Sequence, residues 1–191
     1  MKSAKIRPRV SDSWLQVSYS THAWHVSVNT RVSETKGEVT MSSTMNVRLA
    51  KSSKDIELCI PVMQQLRNQL QREEVAERMS RQVRQGYQLA YVEVNGTVKA
   101  VAGFRIIESL FQGRFLYVDD LVTDSGERSK GYGAALFSWL VDYARKENCR
   151  QLDLDSGVQR VRAHRFYFQQ GMHISSYHFA TILDQQQNTT E

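Results

Sequence analysis

The chain has few of the residues that break or cross-link a fold: 2 prolines, 10 glycines and 2 cysteines among 191 positions. That scarcity excludes collagen-like repeats and linker-rich architecture. Cys59 and Cys149 are far apart and in no metal or redox spacing, so both are expected to be reduced packing thiols. No apolar run approaches the roughly 18 residues that a membrane helix needs. No signal-peptide core is visible either, so the expectation is a soluble, cytoplasmic protein without a membrane partner. His22, His25, His164, His173 and His178 are scattered, which predicts no metal site. A Gly-x-Ser-x-Gly nucleophile motif is also absent.

Charge excludes less than its total implies. The net charge is +5, but six Lys/Arg against three Asp/Glu in residues 1–44 supply +3 of it. The remaining chain is close to neutral, which gives no electrostatic case for a nucleic-acid partner. Residues 1–44 are rich in Ser and Thr and carry no helical stripe, only weak alternation between Val17 and Val28. They are expected to be a poorly ordered or non-native N-terminal extension, with an organelle transit peptide as the alternative. Residues 186–191 read as a polar C-terminal tail. Hydrophobic content of 41% is enough for one core in residues 45–185.

From residue 46 the pattern is regular. "NVRLA" reads as a strand, and Ser52-Ser53-Lys54-Asp55 as a capped helix start. Ile56, Cys59, Ile60, Met63, Leu66 and Leu70 then make a helical stripe, which Pro61 is expected to bend or restart. Val75, Met79 and Val83 mark a second helix. "GYQLAYVEV" and "TVKAVAGFRII" flank Asn95-Gly96, a strong hairpin signal. "RFLYVDDLVT" follows as a central strand, and Leu136, Leu140 and Tyr143 give the buried face of a third helix. "CRQLDLD" is a strand, "VRAHRFYFQQG" a short helix, and "ISSYHFATIL" a final strand. The predicted order is β-α-α-β-β-β-α-β-α-β, an α/β fold with a mixed, mostly antiparallel sheet and helices on both faces.

Residues 127–136, "ERSKGYGAAL", place two glycines at the start of a helix, where glycine weakens it. A triphosphate-binding loop is excluded, because Tyr132 and Gly133 stand where Lys and Ser/Thr must be. A dinucleotide fingerprint fits Gly131 and Gly133, with Asp153 further on. Leu136 at the third glycine position and the distance of the glycines from the strand disfavour it. The remaining pattern is Arg/Gln-x-x-Gly-x-Gly/Ala, met by Arg128, Ser129, Lys130, Gly131, Tyr132 and Gly133. Its physics is that of an uncapped helix N-terminus, whose free N–H groups and positive dipole end favour an anion.

This loop resembles the pyrophosphate-binding segment of the GNAT superfamily of N-acetyltransferases. "LYVDDLVTD" upstream is similar to that family's central strand, and Ala163, Phe166, Tyr167 and Gly171 downstream match its Ala-x-x-Phe/Leu-Tyr-x-x-x-Gly segment. Arg160, in place of a frequent asparagine, and Met172, in place of phenylalanine, depart from it. The resemblance implies acetyl-CoA as co-substrate, no metal, and transfer to an amine acceptor, a small molecule or peptide, in a ternary complex. It also implies pantetheine lying along the strand 116–123, held by backbone amides near Val122 and Thr123, with Val122 polarising the thioester. Tyr167 would be the general acid, and Asp119 or Asp120 would help to remove the amine proton. In a regular strand those two carboxylates face opposite sides, and the sequence does not choose between them. A non-catalytic acyl-CoA-binding module is the competing reading. Similar proteins often form homodimers, though nothing in the sequence specifies one.

Overall fold

A computed structural model describes residues 45–183. The expectations for residues 1–44 and 186–191 lie outside the described residues. The chain builds β1 (Asn46–Leu49), α1 (Ser53–Leu66), α2 (Arg72–Val83), β2 (Gln88–Val94), β3 (Thr97–Ser109), β4 (Gly113–Thr123), α3 (Tyr132–Lys146), β5 (Leu152–Leu154) and α4 (Val161–Gln169). The strands form one five-stranded sheet in the order β1-β2-β3-β4-β5, antiparallel except for the parallel β4–β5 pair.

Local chemistry accounts for the element ends. Ser52 caps α1 by accepting the Asp55 N–H at 3.2 Å, and Asp55 accepts the Ser52 N–H at 3.0 Å, which completes a capping box. Pro61 does not restart α1, which runs through it as one helix. Glu57, whose carbonyl loses its donor, and Pro61 itself are both on the exposed face, where water can serve the freed group. Asn95 and Gly96 both adopt positive φ, 50° and 74°, as the tight β2–β3 turn demands.

The sheet separates two cores. On one face α3 lays Leu136, Trp139, Leu140 and Ala144 against Ala90, Val92, Ala102, Phe104, Leu116 and Val118. On the other, Cys59, Ile60 and Met63 of α1 and Val75 and Met79 of α2 cover Leu89, Tyr91, Val101 and Val122. Helices on both faces of a mostly antiparallel sheet are as expected. Cys59 is fully buried, and burial pushes its thiol up to about 12.

One expected element is missing. "ISSYHFATIL" forms no strand: residues 172–183 have no regular secondary structure, and Ile174, Tyr177, Phe179, Ile182 and Leu183 are exposed. The pattern correctly shows a segment able to be a strand, but no neighbouring backbone pairs with it. β5 is also shorter than the run "CRQLDLD" suggested, with only Leu152–Leu154 paired.

Candidate active site

The site begins with one extra residue in β4. Gly103 of β3 pairs with Asp120 while Phe104 pairs with Val118, so Asp119 is left over as a bulge. The bulge reverses the side-chain alternation. Leu116 and Val118 belong to the α3 core, yet Val122 lies in the α1–α2 core. The expectation that Asp119 and Asp120 face opposite sides therefore fails. Both lie beside Tyr87, whose hydroxyl donates to Asp120 at 2.9 Å and whose ring lies 5.7 Å from the Arg105 guanidinium that holds Asp119.

The two carboxylates nevertheless differ in their surroundings. Asp120 is only 9% exposed and is bound by Tyr87 and by the Arg67 Nε at 2.8 Å. Burial, reinforced by the Asp120 charge, holds the Tyr87 phenol well above its ordinary value, so it stays a donor. Asp119 accepts from the Arg105 Nε at 2.8 Å, and its carboxyl is raised above 3.8 because burial outweighs that arginine. Asp119 therefore lines both clefts, while Asp120 is tied into the frame by Tyr87 and Arg67.

Gly103 makes this frame possible. A Cβ there would lie 1.6 Å from the Tyr87 hydroxyl oxygen, so only glycine lets the ring cross β3 and reach Asp120. Arg67, Tyr87, Gly103 and Arg105 were not singled out in the sequence, because their roles depend on contacts between distant elements. The available signal was the consecutive acids in an apolar strand, which demand buried partners.

Two clefts meet at the bulge. After Val118 pairs with Leu154, β5 ends while β4 continues to Thr123, and the strands part. The first cleft, of about 260 Å³, opens there and is lined by Asp119, Leu121, Ser156, Arg160 and Tyr167 among others. The second, of about 490 Å³, lies between α1, α2 and β4 and includes Met63, Leu70, Arg78, Tyr117 and Asp120. Arg67, Val118, Asp119 and Asp155 line both.

Backbone donors line the first cleft. The Asp124 N–H donates to the Lys99 carbonyl of β3 at 2.9 Å, and antiparallel alternation directs the Val122 N–H to β3 as well. The N–H groups of Leu121 and Thr123 are the ones that face the side β5 has vacated. The Val122 N–H, which the resemblance implies as the polarising donor, is thus turned toward β3, whereas the Thr123 N–H faces the vacated side.

The glycine loop sits at the end of β4. A 3₁₀ turn, Ser125–Glu127, leads into it, and Asp124 caps that turn at the Gly126 N–H. Glu127 accepts from Lys99 at 2.8 Å and from Lys130 at 2.7 Å, so the Lys130 ammonium braces the loop itself. Arg128, Ser129 and Gly131 are exposed, and Ser129 adopts a positive φ of 64°. Gly131, at φ 86°, is the N-cap of α3, and no side chain caps that helix. A Cβ on Gly133 would lie 3.0 Å from the Thr123 hydroxyl and 3.8 Å from the Phe166 ring, so β4, α3 and α4 close together there. Tyr132 packs against the α3-side core and does not face outward as a ligand group.

Tyr167 lies on α4 in the first cleft, stacked edge-on against Phe166 at 5.7 Å. Burial raises its phenol, opposed by the charge of Arg160. Across the same cleft the Ser156 hydroxyl is buried without a hydrogen-bond partner. Such an orphaned group is rare in a stable fold and calls for a partner, which a water or a polar ligand can supply. An uncapped helix N-terminus, two glycines that keep it open and an unsatisfied hydroxyl along one track fit a long, phosphorylated, amide-bearing molecule such as acetyl-CoA. Among the described residues no group of three or more His, Cys, Asp or Glu could hold a metal ion, and no helix is long and apolar enough to cross a membrane.

Comparison with known proteins agrees with this architecture. The sequence model of the Acetyltransferase (GNAT) family matches residues 58–172. The uncharacterized N-acetyltransferase YhdJ of Bacillus subtilis (strain 168) is 38% identical over 121 residues, covering 62% of this chain and 85% of that protein. The aminoglycoside N-acetyltransferase AAC(6')-Iy, solved with CoA, superposes with a TM-score of 0.67 at 12% identity, covering 76% of this chain and 99% of that one. Glucosamine-6-phosphate N-acetyltransferase from Arabidopsis thaliana gives 0.59 at 23% identity, covering 74% and 99%. With the family's residues spanning the bulged strand, the glycine loop and α4, this chain belongs to the GNAT family of acetyltransferases and is an acyl-transferring enzyme.

Proposed function

We propose that the protein moves an acetyl group from acetyl-CoA to a primary amine of a small molecule or peptide, by direct transfer within a ternary complex. The observation that carries this reading is the meeting of the two clefts at Asp119, which gives donor and acceptor separate entrances to one point. Acetyl-CoA is the acetyl donor of the family. The Tyr132, Gly133 and Ala134 N–H groups, with Arg128 beside them, would take its pyrophosphate, and Thr123 its pantetheine amides.

The Leu121 N–H is placed to polarise the thioester carbonyl, a contribution that strengthens as charge develops on that oxygen. Asp119 would accept the amine proton, directly or through a water, and Asp155 adds negative charge that attracts a cationic amine. Tyr167 would give its proton to the departing thiolate, for which a phenol is reasonably matched. Asp120 then acts as a positioning residue, holding Arg67 and Tyr87 behind the bulge.

A CoA-release screen over polyamines, amino acids, aminoglycosides and peptide N-termini tests the proposal and identifies the acceptor. Tight acetyl-CoA binding with no thiol release from any amine would instead make the protein a binding module. The raised Asp119 carboxyl adds a pH test. It accepts a proton only when ionised, so kcat/KM should fall as pH drops through a value above 3.8. Asp119→Asn should remove that acid limb and lower turnover by about 100-fold. An acid limb unchanged in Asp119→Asn would exclude Asp119 as the base.

A further inference from the structure

We infer, resting on the proposed reading of the first cleft as the donor's, that Arg160 is a further catalytic residue of the transfer. Its guanidinium offsets the negative charge left on the CoA sulfur as the thioester breaks. The charged residues lining this cleft are Arg67, Asp119, Asp155 and Arg160. Three of them are already engaged. Arg67 binds Asp120 at 2.6 Å and donates to the Asp119 carbonyl at 3.2 Å. Asp119 is held by Arg105. Asp155 accepts from the Tyr117 hydroxyl at 2.7 Å and lies 3.0 Å from the His178 Nδ1. The Arg160 side chain makes no hydrogen bond or ion pair with any described residue. Among the described residues it is the one guanidinium of this cleft not tied to a carboxylate.

α4 brings that cation to the chemistry. Arg160 is the N-cap of α4, and its carbonyl accepts from Ala163 at 2.9 Å and from His164 at 3.1 Å. Its backbone is therefore fixed. Tyr167 follows about two turns later, which puts the two side chains on one side of the helix. Both line the first cleft, and the Arg160 charge acts on the phenol, where it opposes the rise that burial causes. The buried Ser156 hydroxyl, also without a partner, lies in the same cleft.

Bond making and breaking show why a spare cation is useful here. The amine nitrogen bonds to the carbonyl carbon and gives its proton to Asp119. The C–S bond then breaks and leaves its electron pair on sulfur. Tyr167 protonates that sulfur and regains a proton from solvent. Until then negative charge sits on the sulfur or the phenol oxygen, beside Asp119 and Asp155, whose charges disfavour it. A guanidinium keeps its proton in proteins, so Arg160 stays out of the proton balance and acts by charge and hydrogen bonding. Arg160 is exposed in the open cleft. A pantetheine arm lying there displaces water from it, which strengthens its interactions. The asparagine frequent at this position in the family's pattern is neutral and could not supply the charge.

Arg160→Gln keeps a polar side chain and removes the charge. With an amine found by the CoA-release screen, single-turnover thiol release should fall roughly 10- to 100-fold, less than for a fully enclosed donor. Acetyl-CoA affinity and the thermal midpoint should not change, since the side chain has no partner to strand. Arg160→Lys restores the charge without the planar fork and should recover most of the rate. Acetyl-pantetheine, which lacks the pyrophosphate, should show the same fold-loss in kcat/KM. A loss seen only as weaker acetyl-CoA binding, or one that vanishes with acetyl-pantetheine, would make Arg160 a phosphate ligand and overturn the inference. Unchanged thiol release in Arg160→Gln, or a Lys variant as slow as the Gln variant, would overturn it as well. Wild-type protein that binds acetyl-CoA but releases no thiol with any amine would instead remove the reading beneath it.

Discussion

Tyr167→Phe is expected to lower turnover by roughly 100- to 10,000-fold, the usual contribution of a positioned general acid. Acetyl-CoA affinity and thermal stability should hardly change. The reason is the isolation of the hydroxyl: the ring packs against Phe166, but the phenol oxygen makes no hydrogen bond to any described residue. Removing it leaves no buried partner stranded, so the stability penalty that normally confuses such substitutions is avoided. Burial also keeps the phenol protonated through neutral pH, so it is available as an acid under ordinary assay conditions. Single-turnover thiol release, measured beside equilibrium binding of acetyl-CoA, separates the two effects. Unchanged turnover in Tyr167→Phe would remove Tyr167 from the chemistry whichever amine is the acceptor.

Gly103→Ala should have the largest effect on stability of any one-methyl change in the site. The added carbon would occupy the space of the Tyr87 hydroxyl, at 1.6 Å from its oxygen, and the next two ring atoms lie at 2.2 and 2.6 Å. No rotation of one bond relieves this, because Tyr87 is buried and its hydroxyl is held by Asp120. Overpacking combined with a stranded buried acid should cost about 3 kcal/mol. In a domain of this size that lowers Tm by about 10 °C. The double variant with Tyr87→Ala tests the mechanism: Gly103→Ala should then add almost nothing to the loss from Tyr87→Ala. Additive losses would mean that the glycine serves some other contact.

Most of the fold could be read from the residues, because the signals were local. The Asn95-Gly96 turn, the Ser52 cap and the Leu136–Leu140 stripe each specify their element within a few residues. The glycine loop was readable for the same reason, since helix-terminal chemistry depends on adjacent positions. The arrangement of the carboxylates was not. A bulge adds one residue to one strand of a pair, and both registers satisfy the apolar pattern on either side of Asp119-Asp120. Only the identity of the partners across β3 decides between them. The partners of Asp120, Arg67 and Tyr87, come from 53 and 33 residues away, and nothing local announces them. The final segment failed in the opposite way: its local pattern is that of a strand, but a strand needs a second backbone, which a single chain did not provide.

The missing cap on α3 also governs what happens after each turnover. The loop from Arg128 to Gly133 would grip the phosphates, a part of the donor that transfer leaves untouched. On the proposed reading, spent CoA would satisfy the helix N-terminus as fully as the loaded donor does. Only the part of the first cleft near Leu121 and Tyr167 would sense whether the acyl group is present. The enzyme's hold on its product should then be nearly as strong as its hold on its donor. Free CoA should compete with acetyl-CoA at similar concentrations, which would tie the rate to the ratio of the two more than to the amount of either.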